Sequence, residues 1–176
     1  NSLGLPIGVP LPNWEPALAP PRTLITGNWC RVVPIDPQSH GDALFEAFSR
    51  DTKNRIWSYL PYGPFKNTTA LKRWIEKTCL GSDPLFYTIV DQLSNRALGV
   101  ASYLRINPAV GVIEVGNINY GPTLQKTPAG TEAMYLMMRR AFEELGYRRY
   151  EWKCDALNAA SRRSAGRLGM TFEGIF

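Results

Sequence analysis

Residues 111–146 read GVIEVGNINYGPTLQKTPAGTEAMYLMMRRAFEELG, a strand, a short polar loop and a long amphipathic helix. The loop Gln125-Lys126-Thr127-Pro128-Ala129-Gly130-Thr131 lies where the N–H groups of a helix start have no intrahelical partner. Free donors and the positive end of the helix dipole point the same way there, so the segment suits an anion. The chemistry it suggests is the binding of a ligand that carries phosphates.

The elements that must position this loop fit one domain. The chain has 176 residues, enough for a sizeable core, and 44% of them are apolar. No run of about 18 apolar residues occurs, so no spanning helix and no membrane partner are expected. Cys30, Cys79 and Cys154 are odd in number and far apart. They match neither a disulfide framework nor a zinc spacing, so no metal is expected and a reduced, cytoplasmic setting is. The net charge of +5 allows an acidic partner. The basic residues are scattered as pairs such as Arg139-Arg140 and Arg162-Arg163, with no long run, which argues against nucleic acid.

Residues 1–28 are rich in proline and almost uncharged. Proline lacks an N–H and disfavours ladders, so an extended arm is expected, with a domain over 29–176. Its apolar residues and Trp14 suit lying on the domain or on a second subunit, an arrangement that allows a homodimer. No basic stretch precedes an apolar core, so no signal peptide is expected.

The domain predicts a strand over 29–35, then a helix over about 39–50 with Ala43, Leu44, Ala47 and Phe48 on one side. An aromatic loop over 51–66 carries Trp57, Tyr59, Tyr62 and Phe65. Asn67-Thr68-Thr69 caps a second helix running to about Leu80. Strands follow over 85–91, 97–106 and 111–120, then a helix from Pro128 to Leu145 stopped by Gly146. The chain closes with a strand over 150–154, a helix over 158–168 and a strand over 170–176. The fold class is α/β, a mixed sheet flanked by helices.

Three stretches resemble the GNAT superfamily of acyl-CoA-dependent N-acetyltransferases, and within it the RimJ/RimL type. They are GVIEVGNINYGP, QKTPAGTEAMYLMMRRAFEELGYRRYEW, and DALNAAS followed by RLGMTFEG. The likeness covers about residues 29–176. It implies a three-layer domain with a central, splayed sheet, acetyl-CoA as co-substrate and an amine as acceptor. By the resemblance, Ile118, Asn119 and Tyr120 lie at the thioester. Gln125, Lys126, Thr127, Ala129, Gly130 and Thr131 take the pyrophosphate. Asn158, Ser161 and Arg162 add contacts from the last helix. Pro128 stands where the family has a glycine; it removes one N–H but suits a first helical turn.

Transfer to an amine needs a base, because an alkyl ammonium has a pKa near ~10. Glu114, central on the strand beside the thioester, is the candidate, with Asn117 and Asn119 expected on the opposite face to orient water or substrate. The family's tyrosine acid is missing: its position is Ala165, so thiolate leaves as such, or Ser164 or water protonates it. His40 is expected at the surface or in a cap. No cysteine sits where a covalent acyl intermediate would form. The resemblance puts the aromatic loop on one wall of the acceptor cleft, and the same aromatic residues equally suit the core. The same features fit a second class of protein, a CoA-binding or interaction module without activity. The apolar run ending the chain is expected to need one more strand to close the acceptor half.

Overall fold

The computed structural model describes residues 1–175. Its elements are β1 (Ile25–Thr26), β2 (Cys30–Pro34), α1 (Pro37–Ser49), α2 (Thr68–Trp74), β3 (Leu85–Asp91), β4 (Ala97–Asn107), β5 (Val112–Tyr120), α3 (Pro128–Arg139), β6 (Arg149–Trp152) and α4 (Ala159–Arg167). A 3-10 turn covers Arg55–Trp57, and wide π turns extend α2 through Cys79 and α3 through Glu144.

The helix starts follow from cap chemistry. Asp36 accepts the N–H of Ser39 at 2.6 Å, and Pro37 opens α1 two residues before the expected start. Asn67 accepts the N–H of Ala70 at 2.9 Å, as expected from the Asn-Thr-Thr run. His40 is part of the first cap: its Nδ1 accepts the N–H of Asp36 at 3.1 Å, and burial lowers its pKa.

The six strands form one sheet in the order β1-β2-β3-β4-β5-β6. Every pairing is antiparallel except β5 with β6, which is parallel. The sheet separates two apolar layers. Leu85, Tyr87 and Ile89 of β3 join Ile113, Val115, Ala133 and Met137 on the α3 side. Phe86 and Val90 join Leu44, Phe48, Leu71, Ile75 and Val100 on the α1–α2 side. That alternation is the period-two signature of a strand buried on both faces.

The N-terminal arm lies on the domain from Trp14 onward, and its last residues enter the sheet as β1. Trp14 Nε1 donates to Ala109 O at 2.8 Å, and Leu18 N to Leu145 O at 2.8 Å. Arg140 of α3 reaches the carbonyls of Thr23 and Leu24 at 3.0 and 2.9 Å. Glu132 accepts the N–H groups of Asn28, Trp29 and Cys30 at 2.7, 2.7 and 2.9 Å. Burial opposes the charge of Glu132, but these bonds outweigh it and leave its pKa below the ordinary value.

The strand expected over 170–176 does not form: residues 170–175 have no ladder partner, and Phe176 lies outside the described residues. Beside β6 the segment makes a side-chain bond, Glu173 with Arg149 at 2.8 and 2.5 Å, and side chains alone do not make a strand.

Candidate active site

The start of α3 is fixed by bonds made within a few residues. Lys126 has a left-handed backbone (φ 60°), which turns the chain sharply before the helix. Thr127 is the N-cap: its Oγ1 accepts the N–H of Gly130 at 3.1 Å and donates to Leu124 O at 2.7 Å. Tyr120 OH donates to Gly130 O at 2.9 Å. A Cβ on Gly130 would lie 2.7 Å from Leu124 O and 3.0 Å from the Tyr120 ring, so the close approach needs glycine. Thr131 makes the first helical bond, to Thr127 O at 3.2 Å. Among the described residues the N–H groups of Gln125, Lys126 and Thr127 find no acceptor. That of Ala129, at the second helical position, has no carbonyl one turn before it. Pro128 thus costs one donor and leaves a cradle of four. The Gln125 side chain folds back onto Tyr120 O at 3.0 Å.

A cation reaches this cradle from α4. Arg167 Nη1 donates to Thr131 Oγ1 at 3.0 Å. Arg162, the arginine expected here, instead donates to Ala156 O at 3.2 Å and lies over the Phe172 ring. Both arginines share one short helix, and only its docking angle, absent from the sequence pattern, decides which reaches α3.

β5 is irregular where the resemblance places the thioester. Its register with β4 shifts between Val100↔Asn119 and Ser102↔Gly116, which leaves one extra residue on β5. Asn117 (φ 51°) occupies this bulge. On its other side β5 pairs with β6 from Val112↔Arg149 to Val115↔Trp152 and no further. Residues 116–120 therefore lack a partner on the β6 side, an opening in the ladder, and Ile118 packs half-buried against the α3-side layer. Asn117 Nδ2 donates to Ser102 Oγ at 2.9 Å, and Tyr62 OH approaches Asn117 Oδ1 at 3.4 Å. Asn119 was expected on the face opposite Glu114, but the extra residue in the bulge reverses the alternation and puts it on the same side, with Val100; it is 2% exposed, and neither atom of its amide has a partner.

Glu114 is 4% exposed in its side chain and holds two cations. Arg105 Nη1 lies 3.1 Å from both carboxylate oxygens, and Lys153 Nζ lies 2.8 Å from Oε2. Arg105 sits in a second bulge, on β4, with φ 47°. Asp83 pins that bulge by accepting the N–H groups of Arg105 and Ile106 at 2.9 and 3.0 Å. Burial opposes the charge on Lys153, but its bonds to Glu114 and to Glu151 hold its pKa above the ordinary value. Neither cation was singled out from the sequence. The available signal was register: once Glu114 faces Glu151 across the parallel pair, Lys153 follows two residues on, on the same side.

The last helix is tied to β6. Asn158 caps α4 by accepting Ser161 N at 3.1 Å, and Ser161 Oγ accepts Trp152 Nε1 at 2.8 Å. On the acceptor side the turn 55–57 packs against β5. Trp57 stacks edge-on with Phe65 at 5.5 Å, and Tyr62 lies 4.4 Å from Trp74. Tyr59 OH crosses to Leu157 O at 3.3 Å. A groove of about 540 Å³ between α1 and β2–β4, lined by Arg31, His40, Glu46 and Arg96 among others, includes none of these site residues. Among the described residues no acidic, His or Cys group is arranged to hold a metal, and no helix is long and apolar enough to cross a membrane.

Comparison with known proteins agrees with this geometry. Residues 31–171 match the acetyltransferase (GNAT) domain family. A GCN5-related N-acetyltransferase from Brucella melitensis is 42% identical with a TM-score of 0.91, covering 94% of this chain and 75% of that one. A probable acetyltransferase (GNAT family) from Chromobacterium violaceum is 40% identical with a TM-score of 0.87, covering 97% and 84%. RimL, a ribosomal alpha-N-protein acetyltransferase in complex with coenzyme A, shares the fold at 20% identity and a TM-score of 0.69, covering 86% and 85%. No match is found among curated proteins. With a matching family model over most of its length and a relative 42% identical, the chain belongs to the GNAT acetyltransferase family.

Proposed function

We propose that the protein transfers an acetyl group from acetyl-CoA directly to a primary amine, in the manner of the RimJ/RimL branch. The observation that carries this is the meeting of two unsatisfied backbone surfaces. β5 loses its β6 partner after Val115, and α3 opens with unpaired amides one short loop later. A pyrophosphate on the amides of 125–129, with Lys126, Arg167 and the Thr131 hydroxyl beside it, leaves the pantetheine arm to run towards the opening between β5 and β6. Asn158 and Ser161, at the start of α4, border that path, with Arg162 behind them.

The acetyl end then lies at Ile118–Tyr120. A backbone N–H beyond the bulge polarises the thioester carbonyl and stabilises the oxyanion of the tetrahedral intermediate. Glu114 accepts the proton of the incoming ammonium, which takes the place of Lys153 on Oε2. Asn117 orients the acceptor or a water beside the half-buried Tyr62 and Phe65, and the buried Asn119 amide is placed to hold a water. The thiolate leaves without a side-chain acid, since α4 carries Ala165. Three unpaired thiols suit a reducing cytoplasm.

A second reading, a CoA-binding module without turnover, draws on the occupied oxygens of Glu114 and on Ala165. Thiol release from acetyl-CoA across a panel of peptides and small amines separates the two. Release with at least one amine supports the enzyme; acetyl-CoA binding without release supports the module.

A further inference from the structure

Lys153 is itself a primary amine bonded to the proposed base. Its Nζ lies 2.8 Å from Glu114 Oε2, and its side chain is 36% exposed. It is the first residue past the last β5–β6 pair, Val115↔Trp152, and so stands at the mouth of the opening. The other lysines of the chain are Lys53, Lys66, Lys72, Lys77 and Lys126. None of them bonds Glu114; Lys72, for instance, is held by Asp42 at 2.8 Å.

We propose that Lys153 is an autoacetylation site, modified by the protein's own bound acetyl-CoA. The inference rests on the acetyl-CoA site and the role of Glu114 described above. Glu114 takes one proton from the Lys153 ammonium. The freed lone pair on Nζ attacks the thioester carbonyl carbon, forming the C–N bond. The C–S bond breaks, and the CoA thiolate takes up the second proton that the nitrogen loses on becoming an amide. The proton on Glu114 returns to solvent, and nothing is oxidised or reduced. The tether holds the amine beside the acyl carbon at a high effective concentration, which no diffusing lysine matches.

The product has a consequence for the site. An acetylated Lys153 is neutral and no longer pairs with Glu114 or Glu151. Arg105 remains on Glu114, and Arg149 remains on Glu151 at 2.6 Å. Oε2 of Glu114 is then open to an incoming ammonium, so the modification converts a self-occupied base into an available one.

The test is incubation of the purified protein with carbon-13-labelled acetyl-CoA, followed by mass spectrometry of every lysine over time. Acetyl-CoA binding is measured in parallel by calorimetry. Lys153 is expected to gain label about a hundredfold faster than the other lysines, and heat-unfolded protein should lose that preference. Glu114→Gln is expected to slow labelling of Lys153 by about tenfold or more and leave the other lysines as they were. Uniform labelling, or an unlabelled Lys153 in protein that binds acetyl-CoA, overturns the proposal and leaves the acetyl-CoA site standing. Absence of binding removes the site and the proposal together.

Discussion

The start of α3 and the surroundings of Glu114 are assembled by opposite means. At α3 the bonds that shape the loop join Thr127 to Leu124 and Gly130, and Tyr120 to Gly130, spans of three to ten residues. Around Glu114 the partners are Arg105, nine residues back, and Lys153, 39 residues on, each delivered by a neighbouring strand. The first region leaves its donors open, while the second fills its acceptors. A loop built locally can stay unsatisfied because its cap and its glycine hold it without help. A buried carboxylate cannot stay unsatisfied, because an unpaired charge in the interior costs far more than an unpaired amide at a surface. On the proposed function the contrast divides the work: α3 would bind and Glu114 would react.

The division breaks if the two regions cannot be separated by mutation. The largest effect is expected at Glu114. Glu114→Gln should lower kcat about a hundredfold or more and move the acetyl-CoA Kd by no more than about twofold. Steady-state thiol release together with calorimetry reads both quantities, and a Kd that moved with kcat would erase the distinction.

Gly130→Val is the opposite case. Its side chain meets the Leu124 carbonyl and the Tyr120 ring, so the cradle must open. The expected cost is about 2 kcal/mol in acetyl-CoA binding, a Kd rise of about thirtyfold. Circular dichroism confirms that the fold survives.

Glu132 lies one residue past Thr131 on α3 but serves the fold alone, and it sharpens the comparison as a control. Its folded pKa is depressed, so its contribution is complete above the unfolded carboxylate range near ~4.3 and is lost as pH falls through the folded value. Glu132→Ala leaves three backbone N–H groups without their acceptor and should cost about 2 kcal/mol at neutral pH. The loss relative to wild type should shrink as pH falls below ~4.3. Urea unfolding at a series of pH values checks both the size and the direction.

Arg167→Gln is expected to have a smaller effect, about 1 kcal/mol or roughly fivefold in Kd, because the guanidinium is one donor among several. Arg162→Gln should change the Kd less than Arg167→Gln; the reverse order in calorimetry would show that Arg162 leaves Ala156 to reach the ligand.

The same contrast explains what could be read from the chain. The start of α3 was legible because Thr-Pro-x-Gly encodes its own cap, and Asn67 and Asn158 did the same for α2 and α4. β5 was legible as a strand, but the bulge at Asn117 depends on how β4 pairs with it. Arg105 and Lys153 were hidden because their meeting with Glu114 depends on two strand registers and a β4 bulge. The arm was expected to avoid ladders, yet Ile25 and Thr26 pair with Val32 and Arg31, since the turn between them is gripped by Glu132 from a distant helix. Residues 170–175 form no strand for the converse reason: an apolar run supplies the residues for a strand, but its tie to β6 is made by side chains, Glu173 with Arg149, and not by a backbone ladder.

The central claim is that the opening between β5 and β6 and the start of α3 form one acetyl-CoA site. Isothermal titration of wild type, Gly130→Val and Glu114→Gln with acetyl-CoA tests it most directly. The account predicts one site per chain in wild type, a Kd about thirtyfold weaker in Gly130→Val and an almost unchanged Kd in Glu114→Gln. No binding heat from folded wild-type protein at roughly millimolar acetyl-CoA, a Kd too weak to draw on the cradle's donors, would contradict it.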